Sequence, residues 1–278
     1  MSVQILTDST SDILPEEAEQ KGVRVVPLLV NFGEEAFREN VEITHQEYFR
    51  RLAQAESLPT TSQPTPQDFL AHFEQVRDAG DSLVCVLLAS KQVEGEKIPP
   101  YFTSLDEIYI VDSQQALCGL RMLVDFACVL RDEGLSAREI AEQVESASHR
   151  VRLFGIVNTL EYLHKGGRLP ASMAVVGTLL KVKPLITLRE GEVGILGKGL
   201  GVKNGLDNLL KLMGDEIHPE PRLPLYFGYT QTHNLCDQLR ERVVEKYHPA
   251  RVEQNSVGAV VGTHVGPDGA VVVYLDQE

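Results

Sequence analysis

The chain has 278 residues, 43% of them hydrophobic, enough to bury one large core or, in the reading adopted here, two cores of ordinary domain size with a cleft between them. Lys and Arg total 26 against 40 Asp and Glu, a net charge of −14, and the longest basic patch is Arg150-Val151-Arg152. Such a surface excludes nucleic acid as a natural partner, because affinity for phosphate backbones rests on many cationic contacts.

In chain order, Val3 to Thr7 reads as a short buried strand and Val23 to Asn31 as a longer one. Thr44 opens a capping box, T-H-Q-E, ahead of a helix to about Ala55, and Thr65 caps another helix with Pro66 in its first turn. Ser82 to Ala89 and Ile108 to Val111 are further aliphatic strands, Ser113 to Asp132 is a long apolar helix, and Ser136 opens a second capping box, S-A-R-E, before a helix ending near His149. Strands separated by helices imply right-handed crossovers and a parallel sheet, so residues 1–150 are expected to form an α/β domain.

From Leu153 the rhythm changes. Leu153 to Val157 reads as a strand, Ala171 to Lys181 as a helix, and Pro184 to Arg189 with Val193 to Leu196 as a hairpin around Glu190-Gly191-Glu192. Helices at Asn204 to Glu216 and Asn234 to Tyr247 alternate with strands at Pro224 to Tyr229, Val257 to Gly262 and Ala270 to Leu275. Residues 151–278 are therefore expected to be an α+β domain with a mixed sheet, packed closely on the first, with a ligand tunnel at the interface.

Polar islands stand at the ends of the apolar runs: Asp8-Ser9-Thr10, Thr60-Thr61-Ser62-Gln63, Gly166-Gly167-Arg168 and Gly262-Thr263-His264-Val265-Gly266. Each offers hydroxyls, backbone N–H groups or a cation, the donors that a carboxylate or phosphate needs. Every island also has a plainer reading. Ser9 or Thr10 could simply cap the segment beginning at Pro15, and Gly166-Gly167 could end a helix beside a surface Arg168. His264, taken to end the strand VGAVVG, could be structural or could donate to a bound carboxylate. A Pro-rich loop with a helix cap accounts for Thr65 and Pro66 but not for Thr60, Thr61 and Ser62.

The four cysteines, Cys85, Cys118, Cys128 and Cys236, form no C-x-x-C pair, and the eight histidines form no H-E-x-x-H. Neither zinc nor redox chemistry is signalled, and the thiols read as buried and reduced, which suits a cytoplasmic protein. The opening MSVQILTDSTSD reads as strand and loop, neither a signal peptide nor a membrane anchor.

ILTDSTSD, PTTSQPTP, NTLEYLHKGGRLP, GTLLKVKPLI and VVGTHVGP, in this order, resemble the DegV family from Val3 to about Tyr274. The family includes the fatty-acid-binding subunit of bacterial fatty acid kinase. The resemblance implies a non-enzymatic subunit, without cofactor, that buries one long-chain fatty acid and leaves its carboxyl for a separate ATP-dependent kinase subunit, in the service of phospholipid metabolism. It also implies carboxylate contacts from Thr60, Thr61, Ser90 and His264, with Ser62 in the same TTSQP motif. Arg168 would stand at the edge of that site beside Gly166 and Gly167, and Asp8 and Ser9 would line the base of the cleft.

Two segments depart from the family pattern. ASKQVEGEKIPPYFTSLDE replaces a run like SSxLSGTYQSA after the third strand, and GKGLGVKNGLDN keeps only Lys198 and Lys203 of a basic segment after the hairpin. A lipid carrier or sensor with no kinase partner is thus a second reading. A hydrolase with Ser9 or Ser62 as nucleophile and His264 as base lacks a G-x-S-x-G elbow, and GILGKGLG lacks the K-S or K-T of a phosphate loop. The helices Ala171 to Leu180 and Leu117 to Leu130 are apolar around much of their circumference, which suits either a lipid site or ordinary burial.

Overall fold

The structure is a computed structural model that describes residues 2–92, 107–169 and 181–277. The helix expected at Ala171 to Lys181 and most of the divergent segment after Ser90 lie outside the described residues.

In chain order the first half holds β1 (Val3–Asp8), α1 (Pro15–Lys21), β2 (Val23–Val26), β3 (Leu29–Phe32), β4 (Glu35–Arg38), α2 (His45–Leu52) and β5 (Thr60–Ser62). It continues with α3 (Pro66–Asp78), β6 (Ser82–Leu87), β7 (Ile108–Asp112), α4 (Leu117–Asp132) and α5 (Ala137–Ser148). The second half holds β8 (Val151–Ile156), α6 (Glu161–Lys165), β9 (Val182–Arg189), β10 (Glu192–Leu200) and α7 (Gly201–Met213). Then come β11 (Leu225–Tyr229), α8 (Asn234–Tyr247), β12 (Val252–Ser256), α9 (Ala259–Val265) and β13 (Ala270–Leu275).

The expected fold class is present. A four-stranded parallel sheet, ordered β2-β1-β6-β7 and flanked by helices, forms the N-terminal part. The C-terminal part carries a six-stranded mixed sheet, β10-β9-β8-β13-β11-β12, antiparallel except where β11 meets β12. Local chemistry starts α2 and α5 where the sequence reading put them. Thr44 accepts the Glu47 N–H at 3.2 Å, and Ser136 and Glu139 cap each other, with the Ser136 N–H donating to the Glu139 carboxylate at 2.9 Å.

Helix α4 lies between the two sheets, and the largest core cluster runs through it, from Ile5 and Val84 on one side to Val271 and Val273 on the other. Nearly every residue from Cys118 to Leu130 is buried, so its apolar circumference is what a helix covered on all sides requires. It supplies only Ala116 and Leu117, at its N-terminal end, to the cavity described below.

Several expected elements differ. The strand Val23 to Asn31 is broken at Pro27-Leu28 into β2 and β3, which belong to different sheets. Pro27 has no N–H for a ladder, and the Leu28 N–H donates to Ser9 Oγ at 3.0 Å instead. β3 then pairs with β4 and β5 in a small antiparallel sheet that the sequence reading lacked. The helix expected from Ser113 begins at Leu117, because Ser113 Oγ accepts the Gln115 N–H at 3.0 Å and so holds a turn in place of a helical start. Residues expected as the strand Val257 to Gly262 instead form most of α9, and β12 ends just before them. The Gly258 and Val260 N–H groups donate, each at 2.8 Å, to Asp12 and Glu39, carboxylates brought from the far end of the chain. Those bonds to the start of a helix override the β-preference of two valines.

Candidate functional site

A cavity of about 610 Å³ is lined by both halves of the chain, from Thr10, Leu28 and Leu88 to Leu153, Ile186 and Val193. Its walls are mainly aliphatic: Leu117, Leu163, Leu188, Val260, Val261 and Val265 also contribute. Polar groups gather along one wall, from Thr61 and Gln63 through Thr263 and His264 to Gly166, Gly167 and Arg168.

The pleat of β5 decides which hydroxyl faces that wall. Thr61 lies opposite Val30 of β3, and its Oγ1 is 3.0 Å from His264 Nε2. Thr60 and Ser62 alternate with Thr61 along the strand and also line the cavity, but Asn31 Nδ2 engages their hydroxyls, donating to Ser62 Oγ at 2.9 Å and to Thr60 Oγ1 at 3.4 Å. Thr61 is therefore the hydroxyl of this strand presented to His264.

His264 occupies the last turn of α9. Burial first, and then the charge of Arg168, lower its pKa from 6.5 to about 3, so it is neutral at physiological pH. Its Nδ1 is buried without a hydrogen-bond partner and packs against Gly166. An orphaned acceptor costs less than an orphaned N–H, which favours the proton on Nε2. His264 then donates to Thr61, and the Thr61 hydroxyl is left to donate into the cavity. Behind them Tyr48 O–H donates to Thr263 Oγ1 at 3.0 Å, and Thr263 donates to the Ala259 carbonyl at 2.8 Å, tying α9 to α2.

The Gly-Gly-Arg segment ends α6. Gly167 adopts φ +72°, a left-handed cap that glycine accepts freely, and its N–H donates to the His164 carbonyl at 3.0 Å. Arg168 donates to the Gly166 carbonyl and, at 2.9 Å, to the Gln92 carbonyl, bridging the turn after α6 to the turn after β6. The two sequence readings of this island are compatible: it is a helix terminus, and it also places a guanidinium beside the cavity.

Three expected site residues do not line the cavity. Asp8 is buried and accepts the Thr10 N–H at 3.0 Å and the Leu88 N–H at 2.7 Å, so it braces the loop behind Thr10, which does line it. Ser9 accepts the Leu28 N–H, and Ser90 donates to Asp112 Oδ2 at 2.6 Å. Sequence reasoning missed Gln92 and Lys165 as lining residues, and it named Thr10 and Gln63 only as members of their polar islands. Reading Val260 to Val265 with helical instead of strand periodicity would have put Val260, Val261 and His264 on neighbouring faces.

Chemically, the wall offers neutral donors with a cation at the edge of an apolar chamber, an arrangement that receives a small anionic or polar head on an apolar body. Among the described residues His264 Nδ1 meets no carboxylate, and its Nε2 meets Thr61 and no serine, so they assemble no nucleophilic triad around it. The glycine-rich GILGKGLG is β10 with the start of α7, an antiparallel strand and not a phosphate loop. All four cysteines are free and buried, and burial raises their thiol pKa values, Cys128 to about 11 and Cys236 to about 12. Among the described residues no helix is long and apolar enough to cross a membrane.

Comparison with known proteins places these features in context. The family model for "Uncharacterised protein, DegV family" matches residues 2–277. A DegV domain-containing protein of Halalkalibacterium halodurans is 30% identical over 272 residues, 95% of each chain. Among solved structures, a fatty-acid-binding DegV family protein from Thermus thermophilus superposes with a TM-score of 0.86 at 30% identity, covering 100% of both chains. DegV of Bacillus subtilis, a fatty acid binding protein, superposes with a TM-score of 0.81 at 25% identity, again over 100% of both.

Proposed function

This chain belongs to the DegV family, and on that premise we propose that it binds one long-chain fatty acid in the cavity between residues 1–150 and 151–278, with the carboxyl group at Thr61 and His264. The observation that carries the reading is the Thr61–His264 hydrogen bond, 3.0 Å long, between two lining residues of a largely aliphatic cavity of about 610 Å³. The fatty-acid-binding Thermus thermophilus relative supports it.

The energetics follow from the lining. Each buried methylene contributes about 0.8 kcal/mol, so a tail of about 14 methylenes contributes roughly 11 kcal/mol before the cost of association. The tail dominates affinity, while Thr61 O–H, with Arg168 at the edge, selects an acid over a hydrocarbon. His264 acts as a neutral donor that orients Thr61, and Gly166 keeps its ring in place. Asp8, Ser9 and Ser90 support the wall from behind, while Thr60 and Ser62 line the cavity with their hydroxyls held by Asn31.

The finer reading is that the bound carboxyl is presented to a separate kinase subunit for acyl-phosphate formation, with Arg168 and Gly167 facing the incoming phosphate. The second reading, a carrier or sensor without a kinase, is favoured by the sparse cations of the β10–α7 segment, where Lys198 and Lys203 stand.

Native followed by denaturing mass spectrometry of the purified protein tests the core proposal. A near-stoichiometric long-chain fatty acid is the expected release; no lipid, and no uptake of added oleate or palmitate, would overturn it. Incubating the loaded protein with a fatty acid kinase catalytic subunit and ATP then separates the finer reading, which requires acyl phosphate, from the carrier reading.

A further inference from the structure

Helix α9, which carries Thr263 and His264, is anchored by two acidic side chains that the site itself does not use. Asp12 is 2% exposed and Glu39 is 1% exposed. Asp12 Oδ1 accepts the Gly258 N–H and Glu39 Oε1 accepts the Val260 N–H, both at 2.8 Å. Their second oxygens, Asp12 Oδ2 and Glu39 Oε2, have no hydrogen-bond partner, and neither does His45 Nε2. All three side chains crowd one backbone position. A methyl group on Gly258 would stand 2.3 Å from Glu39 Oε1 and 3.0 Å from both Asp12 Oδ1 and His45 Nε2.

We propose that Asp12 and Glu39 are positioning residues for the cavity: two buried carboxyls that grip the first turn of α9 and so set where Thr263 and His264 stand. Ionisation of Glu39 thereby tunes how well the cavity receives an anionic head group. The nature of that head group rests on the fatty-acid reading above; the gripping of α9 does not.

The surroundings explain why a proton is retained. Burial, then the neighbouring Glu39, raises the Asp12 pKa well above the usual carboxylate range. Burial also raises Glu39 from 4.5 to about 7, against the lowering effect of Ser9 and the α9 N–H groups. The charged and titratable groups facing the pair are Asp8 at the end of β1, Arg121 of α4, and His45 and Tyr48 of α2. Arg121 donates to the Asp12 carbonyl at 3.2 Å and pairs with Glu17, so its charge is already shared. Burial lowers His45 to about 4 and leaves it neutral.

The sign follows from Coulomb's law. At 1.5 Å per residue the His264 end of α9 lies roughly 10 Å from its first turn. Ionising Glu39 places a second buried negative charge there, which weakens binding of an anion at the other end by about twofold to fifteenfold for effective dielectrics between about 80 and about 20.

The experiment titrates delipidated protein with oleate by calorimetry from about pH 6 to about pH 8.5, for the wild type, Glu39→Gln and Asp12→Asn. The 15N amide shift of Val260 is followed over the same range without ligand. Oleate's own ionisation is common to all three proteins, so only the differences between profiles count. The wild type is expected to bind about twofold to fifteenfold more weakly at the alkaline end than Glu39→Gln does relative to its own acid-side value. Glu39→Gln keeps an amide oxygen for Val260 and has nothing to ionise, so its Val260 amide should not titrate, whereas the wild-type amide should. Parallel affinity profiles, or a Val260 amide that titrates alike in both, would overturn the proposal. If the wild type takes up no oleate at any pH, the fatty-acid reading fails instead, and the Val260 titration still decides whether Glu39 ionises at the start of α9. Asp12→Asn leaves Glu39 in place, so its Val260 amide should titrate as well; should Glu39→Gln fold poorly, a flat Val260 profile in Asp12→Asn and the wild type would overturn the proposal.

Discussion

Gly166 and His264 occupy adjoining space so closely that a methyl group on Gly166 would stand 2.3 Å from His264 Nδ1. Gly166 has φ −79°, a backbone that any residue adopts, so close approach and not conformation demands the glycine. Gly166→Ala is expected to push the ring off Thr61 at an overpacking cost of about 1–3 kcal/mol, read as a loss of about fivefold to a hundredfold in oleate affinity. Wild-type affinity in this variant would show that Gly166 does not hold the ring.

The pleat of β5 gives neighbouring threonines opposite fates. Thr61→Val removes the hydroxyl that meets His264 at 3.0 Å, and should weaken oleate binding by about twofold to tenfold, the worth of one hydrogen bond. Thr60 also lines the cavity, but its hydroxyl is engaged in a long contact to Asn31, so Thr60→Val should bind within about twofold of the wild type. Equal losses in the two variants, measured by calorimetry, would mean that both hydroxyls reach the ligand.

Glu39 and His264 pull stability in opposite directions with pH. Glu39 holds its proton more tightly in the folded chain, so between 4.5 and about 7 the native state binds more protons and stability falls as pH rises. His264 stays neutral in the fold down to about 3, while the unfolded chain takes up a proton below 6.5, so its contribution is lost as pH falls from 6.5 towards 3. Urea unfolding at about pH 5 and about pH 7 should show Glu39→Gln gaining on the wild type by roughly 2 kcal/mol at the higher pH, most of the full shift at 1.36 kcal/mol per pKa unit. His264→Asn should gain at the lower pH. A wild-type slope retained by Glu39→Gln would remove Glu39 as its source.

Arg121 is 2% exposed and joins α4 to Asp12, Glu17 and Glu253. Arg121→Ala removes the cation from Glu17 and Glu253, which keep partial access to water, and the donor from the Asp12 carbonyl, and should cost about 1.5–3 kcal/mol in denaturant unfolding. A loss below about 1 kcal/mol would place the stability of this junction elsewhere, in the packing of α4.

The features legible in the sequence are those whose causes are local. Thr44 and Ser136 start their helices with bonds to residues three positions on, so a capping motif is enough to find them. The parallel strand β6 read correctly because a strand buried on both faces is a continuous aliphatic run, and β1 and β7 because each is a short, mainly apolar and β-branched run. The polar islands were visible for the same reason: each breaks such a run, and Thr61, Gly166, Arg168 and His264 do meet at one cavity.

The partners of those residues were not legible, because they are set by contacts across the whole chain. Val257 to Val261 look like a strand until Asp12 and Glu39 are brought to the N–H groups of Gly258 and Val260. Thr60 and Thr61 are equivalent in composition, and only pairing with β3 turns one towards His264 and the other towards Asn31. Sequence alone determined the family, the fold class and the chemical groups available to the site. Tertiary structure decided which of them face the cavity, since strand register and long-range hydrogen bonds, with no signature in neighbouring residues, fix the direction of each side chain.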